Sequence, residues 1–214
     1  MEKLLILLNE NDEVAGYAPK MEVHKRGLLH RAFSIFIYDR ANRKMLLQKR
    51  AKSKYHSGGL WSNACCSHPY KDESWRDAIQ RCMKDELGIV PPFRDRFIEK
   101  INPFDYPPCT DSDTIQFVEK FHYCMNVSSL KENEIDYVFL YHPNANMVND
   151  ILINPNEVDE IKWVSLDELE DLLSNAPDSF TVWFKKAYEI AKSGIVVEDS
   201  WDGYEQYGFC VEIT

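Results

Sequence analysis

A thiol and an imidazole stand two residues apart in Trp61-Ser62-Asn63-Ala64-Cys65-Cys66-Ser67-His68-Pro69. In extended backbone, a rise of about 3.3 Å per residue sets Cys66 and His68 on one face, roughly 6–7 Å apart, and turns Cys65 and Ser67 to the other. One thiol of the vicinal pair is thereby singled out. A second alternating pair, Glu132 and Glu134 in Glu132-Asn133-Glu134-Ile135-Asp136-Tyr137, leads into an apolar run. A thiol, imidazoles and paired carboxylates are the parts of a metal-assisted acid/base site.

Short strands and a few helices must bring those residues together. Leu4–Leu8 reads as a strand, and Arg31–Tyr38 as a central one, with Phe33, Ile35 and Ile37 on one side and Ala32, Ser34 and Phe36 on the other. A polar turn at Asp39–Arg43 joins it to Lys44–Arg50 as a hairpin, and Leu60–His68 extends after Gly58-Gly59. From Ser74 the period turns helical, with Trp75, Ala78, Ile79, Cys82 and Met83 on one face, Glu86 near the end and Gly88 as the stop. Phe97–Lys100, Phe117–Met125, Ile135–Tyr141 and Glu160–Val164 read as strands, and the Pro- and Asp-rich stretch 103–113 as a surface insertion. Ser165-Leu166-Asp167-Glu168 is a capping box opening a helix through Leu173, and a last helix covers about Phe180–Ala191.

With 214 residues, 44% of them hydrophobic, the chain suits one domain with insertions. The expected division is 1–194 as the domain and 195–214 as an acidic, aromatic tail. A formal charge of −10 disfavours nucleic acid and anionic membranes and points to a small-molecule partner. The six cysteines form no regular disulfide framework, and no apolar run approaches the roughly 20 residues of a membrane span. A cytoplasmic enzyme, monomeric or weakly dimeric, is the expectation.

The fold expected is α/β (α+β), a mixed-sheet α/β/α sandwich with peripheral helices of the Nudix type. Ser67, Glu73, Arg81, Asp85, Glu86, Gly88 and Ile89 fall at the spacings of that family's box. Ser67 stands where glycine is usual, and Cys82 where the first glutamate of the helical core belongs. Within that fold the chain resembles type I isopentenyl-diphosphate delta-isomerases closely, from about Leu4 to Ala191. The resemblance rests on Lys20-Met21-Glu22-Val23-His24, Leu29-His30-Arg31-Ala32-Phe33-Ser34, the Asn63–Pro69 stretch and Glu132–Tyr137, in that order.

The resemblance implies that His24, His30, His68, Glu132 and Glu134 enclose one divalent metal, and such a donor set suits Zn²⁺, Mn²⁺ or Mg²⁺. His56, His122 and His142 lie outside these motifs and read as ordinary histidines. The implied reaction protonates isopentenyl diphosphate at C4 and removes a proton from C2, giving dimethylallyl diphosphate. Cys66 and Glu134 resemble its acid–base pair, on opposite faces of the substrate, with Tyr123 supporting Glu134. Trp183 resembles a tryptophan facing the tertiary cation at C3, a contact worth on the order of 2 kcal/mol. Lys20, Arg50 and Lys54 match phosphate-binding positions, and Glu86 a glutamate that binds Mg²⁺ with the diphosphate. Where relatives carry two consecutive arginines, Arg81 is followed by Cys82, and a phosphate contact is expected to be missing. Two other readings are a Nudix pyrophosphohydrolase, disfavoured by Cys82, and a non-catalytic prenyl-diphosphate binder, disfavoured because both acid–base groups are present.

Overall fold

The computed structural model describes residues 3–54, 56–92, 113–127 and 130–205. Their strands are β1 (Leu4–Leu8), β2 (Val14–Pro19), β3 (His30–Asp39), β4 (Lys44–Arg50), β5 (Trp61–Ser62), β6 (Cys65–Ser67), β7 (Thr114–Val127), β8 (Leu130–His142) and β9 (Val158–Ser165). The helices are α1 (Lys20–Arg26), α2 (Trp75–Leu87), α3 (Ala145–Asn149), α4 (Leu166–Asn175) and α5 (Phe184–Glu205). β3 is the hub: it runs parallel to β8 and antiparallel to β1, β4 and β6, while β4 pairs with β9 and β7 with β8.

The alternation along β3 fixes the layers, because successive side chains leave a strand on opposite faces. Phe33, Ile35 and Ile37 join Ile135, Tyr137, Phe139 and the inner face of α2 (Ala78, Ile79, Met83, Leu87) in one core. Phe36 and Tyr38 join Val138, Leu140 and Val164 under α4 and α5 in the other, through Leu169, Phe184, Ala187, Tyr188 and Ala191. Helices thus cover both faces of a mixed sheet, as expected of an α/β/α sandwich.

α2 begins and ends where the sequence signals. The Ser74 side chain accepts from the Asp77 N–H, and Gly88 sits at φ 70° with its N–H on the Lys84 carbonyl. Ser165 likewise caps α4 by accepting from the Glu168 N–H. Leu60–His68 is two short strands rather than one continuous segment, with Asn63 and Ala64 between them. The last helix starts at Phe184, four residues later than expected, and continues to Glu205 across the 194/195 boundary. Phe97–Lys100 and residues 103–112 of the expected insertion lie outside the described residues, as do Tyr207 and Phe209 of the tail. Among the described residues no helix is long and apolar enough to cross a membrane.

Candidate active site

Strand register assembles the site. In the parallel β3–β8 pairing His30 lies opposite Glu134, and in the antiparallel β7–β8 pairing Tyr123 lies opposite the same Glu134. Residues paired across a sheet share a face, so one carboxylate receives a partner from each side. His30 Nε2 lies 3.2 Å from Glu134 Oε1, and Tyr123 Oη donates to Glu134 Oε2 at 2.6 Å. On β6, Cys66 is opposite Ser34 and Cys65 opposite Ile35. Cys66 therefore faces the site, while the wholly buried Cys65 joins the core beneath α2. His68, two residues beyond Cys66, brings Nε2 to 2.9 Å from Glu134 Oε1. Arg81 braces this segment by donating to the His68 carbonyl at 3.0 Å while its Nε pairs with Glu73 at 2.7 Å.

The third imidazole comes from α1, a seven-residue helix that the sequence reading did not anticipate. Its last turn closes on Gly27 in the left-handed region, φ 64°, where glycine carries no side-chain penalty. His24 Nδ1 lies 2.7 Å from the Lys20 carbonyl, and His30 Nδ1 lies 2.8 Å from the Leu28 carbonyl. A carbonyl oxygen only accepts, so Nδ1 carries a proton in both rings and Nε2 is turned to the interior.

Ring nitrogens of His24, His30 and His68 and a Glu134 carboxylate oxygen all lie within 4.8 Å of one another. Three ring nitrogens and a carboxylate oxygen converging on one buried point are a donor set that fits a divalent cation. Burial works to raise Glu134, but His68 and His30 outweigh it and hold the carboxyl well below its usual range. Burial lowers His68 to about 3 against the pull of Glu134. Glu132, the fifth expected ligand, stands beside the cluster with Oε2 3.4 Å from His24 Nε2, and burial raises its carboxyl.

His68, Glu134 and Glu132 line a cavity of about 510 Å³ together with Cys66, Tyr123, Trp183, Lys20, Arg50, Lys54 and Glu86, while His24 and His30 are wholly buried against them. The structure thus brings every expected site residue to one place. Burial pushes the Cys66 thiol up to about 12, even though the Arg50 guanidinium, donating to Sγ at 3.6 Å, pulls it down. The thiol is therefore a proton donor throughout the neutral range. Arg50 also lies over the Trp183 ring, 5.4 Å from its centroid. Trp183 precedes α5 rather than riding on it. The neighbouring Thr181 N–H bonds the Trp61 carbonyl at 2.9 Å, and the indole N–H donates to Asn63 Oδ1 at 3.2 Å. Glu86 accepts from Gln48 Nε2 at 2.9 Å and has Lys54 Nζ 4.0 Å away, with Lys54 also paired to Glu157.

Two residues that the sequence reading passed over belong to the cavity. His56, on the polar loop between β4 and β5, places Nε2 3.3 Å from Glu132 Oε1 and its ring 6.1 Å from that of Trp183. Burial, followed by Arg50, lowers it to about 3. Nothing in its neighbours sets it apart from a surface histidine. Asp136 accepts from Ser34 Oγ at 2.7 Å, and burial, with Glu134 beside it, raises its carboxyl to about 8. Its place in the Glu132/Glu134 alternation is the signal that finds it.

A mixed sheet between helices, with a capped helix that brings Glu86 to the cavity, defines a NUDIX fold, and residues 28–184 match the NUDIX domain family. Solved structures agree in fold: DR0079 from Deinococcus radiodurans superposes with a TM-score of 0.56 at 14% identity, covering 81% of this chain and 90% of that one. The MutT protein from Methanosarcina mazei Go1 gives 0.51 at 18% identity, over 77% and 94%. Among curated proteins, the Isopentenyl-diphosphate Delta-isomerase 2 of Photorhabdus laumondii is 38% identical across 87% of this chain and 90% of its own length. The Isopentenyl-diphosphate delta-isomerase of Schizosaccharomyces pombe is 36% identical across 86% and 80%. The chain belongs to the NUDIX family and, within it, to the isopentenyl-diphosphate Delta-isomerases.

Proposed function

We propose that this protein converts isopentenyl diphosphate to dimethylallyl diphosphate. The observation that carries the reading is that Cys66 and Glu134 line one cavity, where burial raises the thiol and the neighbouring imidazoles lower the carboxyl. The Cys66 S–H proton goes to C4 of the alkene, and the π electrons leave a tertiary cation at C3. Glu134 takes a proton from C2, and the C–H pair becomes the C2=C3 double bond. The acid loses one proton and the base gains one, so solvent exchange resets both.

Each remaining residue has a task in that sequence. Tyr123 donates to Glu134 Oε2 and holds the carboxylate in orientation. The indole of Trp183 offers a π face to the cation at C3, away from water. Lys20, Arg50 and Lys54 supply the diphosphate with positive charge in an otherwise acidic protein. His24, His30, His68 and Glu134, with Glu132 alongside, would hold Zn²⁺, Mn²⁺ or Mg²⁺, and Glu86 a Mg²⁺ shared with the diphosphate. A bound divalent ion supplies fixed positive charge that keeps Glu134 ionised and in place. The substrate is a soluble small molecule, in keeping with a cytoplasmic enzyme that acts as a monomer or weak dimer.

The test is conversion of isopentenyl to dimethylallyl diphosphate by metal-supplemented enzyme, alongside Cys66→Ala and Glu134→Gln. Turnover by wild type and loss of at least a thousandfold in both variants is expected. Full turnover in either variant refutes the assignment of that residue, and release of phosphate instead of isomer favours hydrolysis.

A further inference from the structure

Between β5 and β6 the strand breaks at Asn63, which is wholly buried. Its amide fills all four hydrogen-bonding positions that an asparagine side chain has. Nδ2 donates to the Ile35 carbonyl of β3 at 3.3 Å and to the Cys65 carbonyl of β6 at 2.7 Å, while Oδ1 accepts from Ser62 Oγ at 3.0 Å and from the Trp183 indole N–H at 3.2 Å. Only this orientation works, because turning the amide over would set its oxygen against two carbonyls and its N–H groups against two donors. Thr181 extends the lattice. With the Ser62 hydroxyl committed to Asn63, Thr181 Oγ1 donates to Ser62 Oγ at 3.1 Å, and the Thr181 N–H meets the Trp61 carbonyl at 2.9 Å.

We infer that Asn63 is a positioning residue, fixing the Trp183 indole and the backbone of the Cys66 strand as one unit so that the ring keeps its face toward the carbon that bears the cation. The inference rests on the isomerase reading. Asn63 does not line the cavity, so its effect passes through the two neighbours it holds. One is the Cys65 carbonyl, which belongs to the peptide bond leading into Cys66. The other is the indole. A cation–π attraction requires the charge over the ring face, within about 6 Å of its centroid, so the tilt of the ring matters as much as its presence. The rings beside Trp183, His56 at 6.1 Å and Tyr123 at 6.3 Å, supply contact, whereas the N–H bond to Oδ1 is directional and sets the angle. Without Oδ1 the buried indole N–H has lost its acceptor, and the ring turns to recover one.

The test compares two diphosphates of one shape, bound to metal-supplemented enzyme and measured by isothermal titration calorimetry. In dimethylaminoethyl diphosphate a protonated nitrogen stands at C3, and in isopentyl diphosphate a neutral C–H does. Wild type is expected to bind the cationic form more tightly, by at least the roughly thirtyfold of one desolvated cation–π contact. Asn63→Ala, shown to be folded by circular dichroism, is expected to lose roughly tenfold of that preference while its affinity for the neutral form stays within about twofold. Thr181→Val keeps the shape and removes only the hydroxyl. It is expected to lose roughly threefold, the worth of a neutral hydrogen bond, and it decides the matter if Asn63→Ala does not fold. A preference within about twofold of wild type in either folded variant overturns the inference alone. Equal loss of affinity for both diphosphates does so too, since that marks a merely structural residue. No preference in wild type removes the cation-facing role of Trp183, and the inference falls with it before any variant is made.

Discussion

Replacing Arg50 with methionine isolates the cavity's handling of the diphosphate. Arg50 is 5% exposed, donates to Cys66 Sγ through Nη1, and makes no hydrogen bond through its buried Nε. A guanidinium so placed has donor capacity left for a phosphate oxygen, and a charge-assisted hydrogen bond contributes about 1.5–3 kcal/mol. At about 1.36 kcal/mol per decade, its loss raises KM roughly 10- to 150-fold. The diphosphate is held equally in ground and transition states, so kcat is expected to change much less. The acid survives, because removing a cation that pulls the thiol down leaves Cys66 protonated. Steady-state kinetics separates the two constants, and Arg50→Lys, which keeps the charge without the fork, falls between. A KM within twofold of wild type in Arg50→Met, with folded protein, would refute the placement of the diphosphate at this guanidinium.

Other expectations follow from the same geometry. With its thiol near 12, Cys66 is about one part in ten thousand thiolate at pH 8, against about one tenth for an ordinary thiol at 9. Iodoacetamide should therefore label it roughly a thousandfold more slowly than a small free thiol of that ordinary value in the same solution, and comparable rates by mass spectrometry contradict a protonated acid. The same sign leaves turnover undiminished by Cys66 deprotonation up to pH 9. Mn²⁺ at a thousand times its dissociation constant should stabilise the protein by about 4 kcal/mol, a rise of roughly 8–16 °C in Tm. His24→Ala should abolish that rise, and a variant that keeps it removes His24 from the metal cluster. Trp183→Leu should lower kcat roughly 10- to 30-fold, the worth of one desolvated cation–π contact, and unchanged kcat removes the ring from the cation's surroundings. Gly88→Ala meets both a φ of 70° and a Cβ only 2.7 Å from the Leu152 carbonyl oxygen. It should cost at least about 1 kcal/mol, read as a Tm lowered by 2 °C or more.

The strands that build the sheet were legible because each buries a face. The alternation of Phe33, Ile35 and Ile37 against Ala32, Ser34 and Phe36 was readable, and the first set and Phe36 join different cores; the Cys65/Cys66 alternation likewise singled out the thiol that meets the cavity. Ser74, Gly88 and Ser165 marked helix ends through their own capping chemistry. α1 escaped notice because seven residues between Pro19 and Gly27 bury only Val23 and His24, too few for a periodic signal. The start of α5 was misjudged because Phe180 and Trp183 continue the apolar spacing, although Thr181 ties this segment to β5. His56 was invisible for a different reason: its place follows from the path of a polar loop, and loop paths leave no period in the residues. The bond from Trp183 to Asn63 needed the packing of residues 181–183 on β5, which spacing along the chain does not encode.

The central claim is that Cys66 delivers a proton to C4 of isopentenyl diphosphate while Glu134 removes one from C2, across the intervening C3. Turnover of isopentenyl diphosphate in deuterium oxide, followed by nuclear magnetic resonance, tests it most directly, because a thiol exchanges its proton with solvent before donating it. The account predicts dimethylallyl diphosphate carrying deuterium in a methyl group in wild type and none formed by Cys66→Ala. Product free of solvent deuterium, or equal deuteration by folded Cys66→Ala, would contradict it.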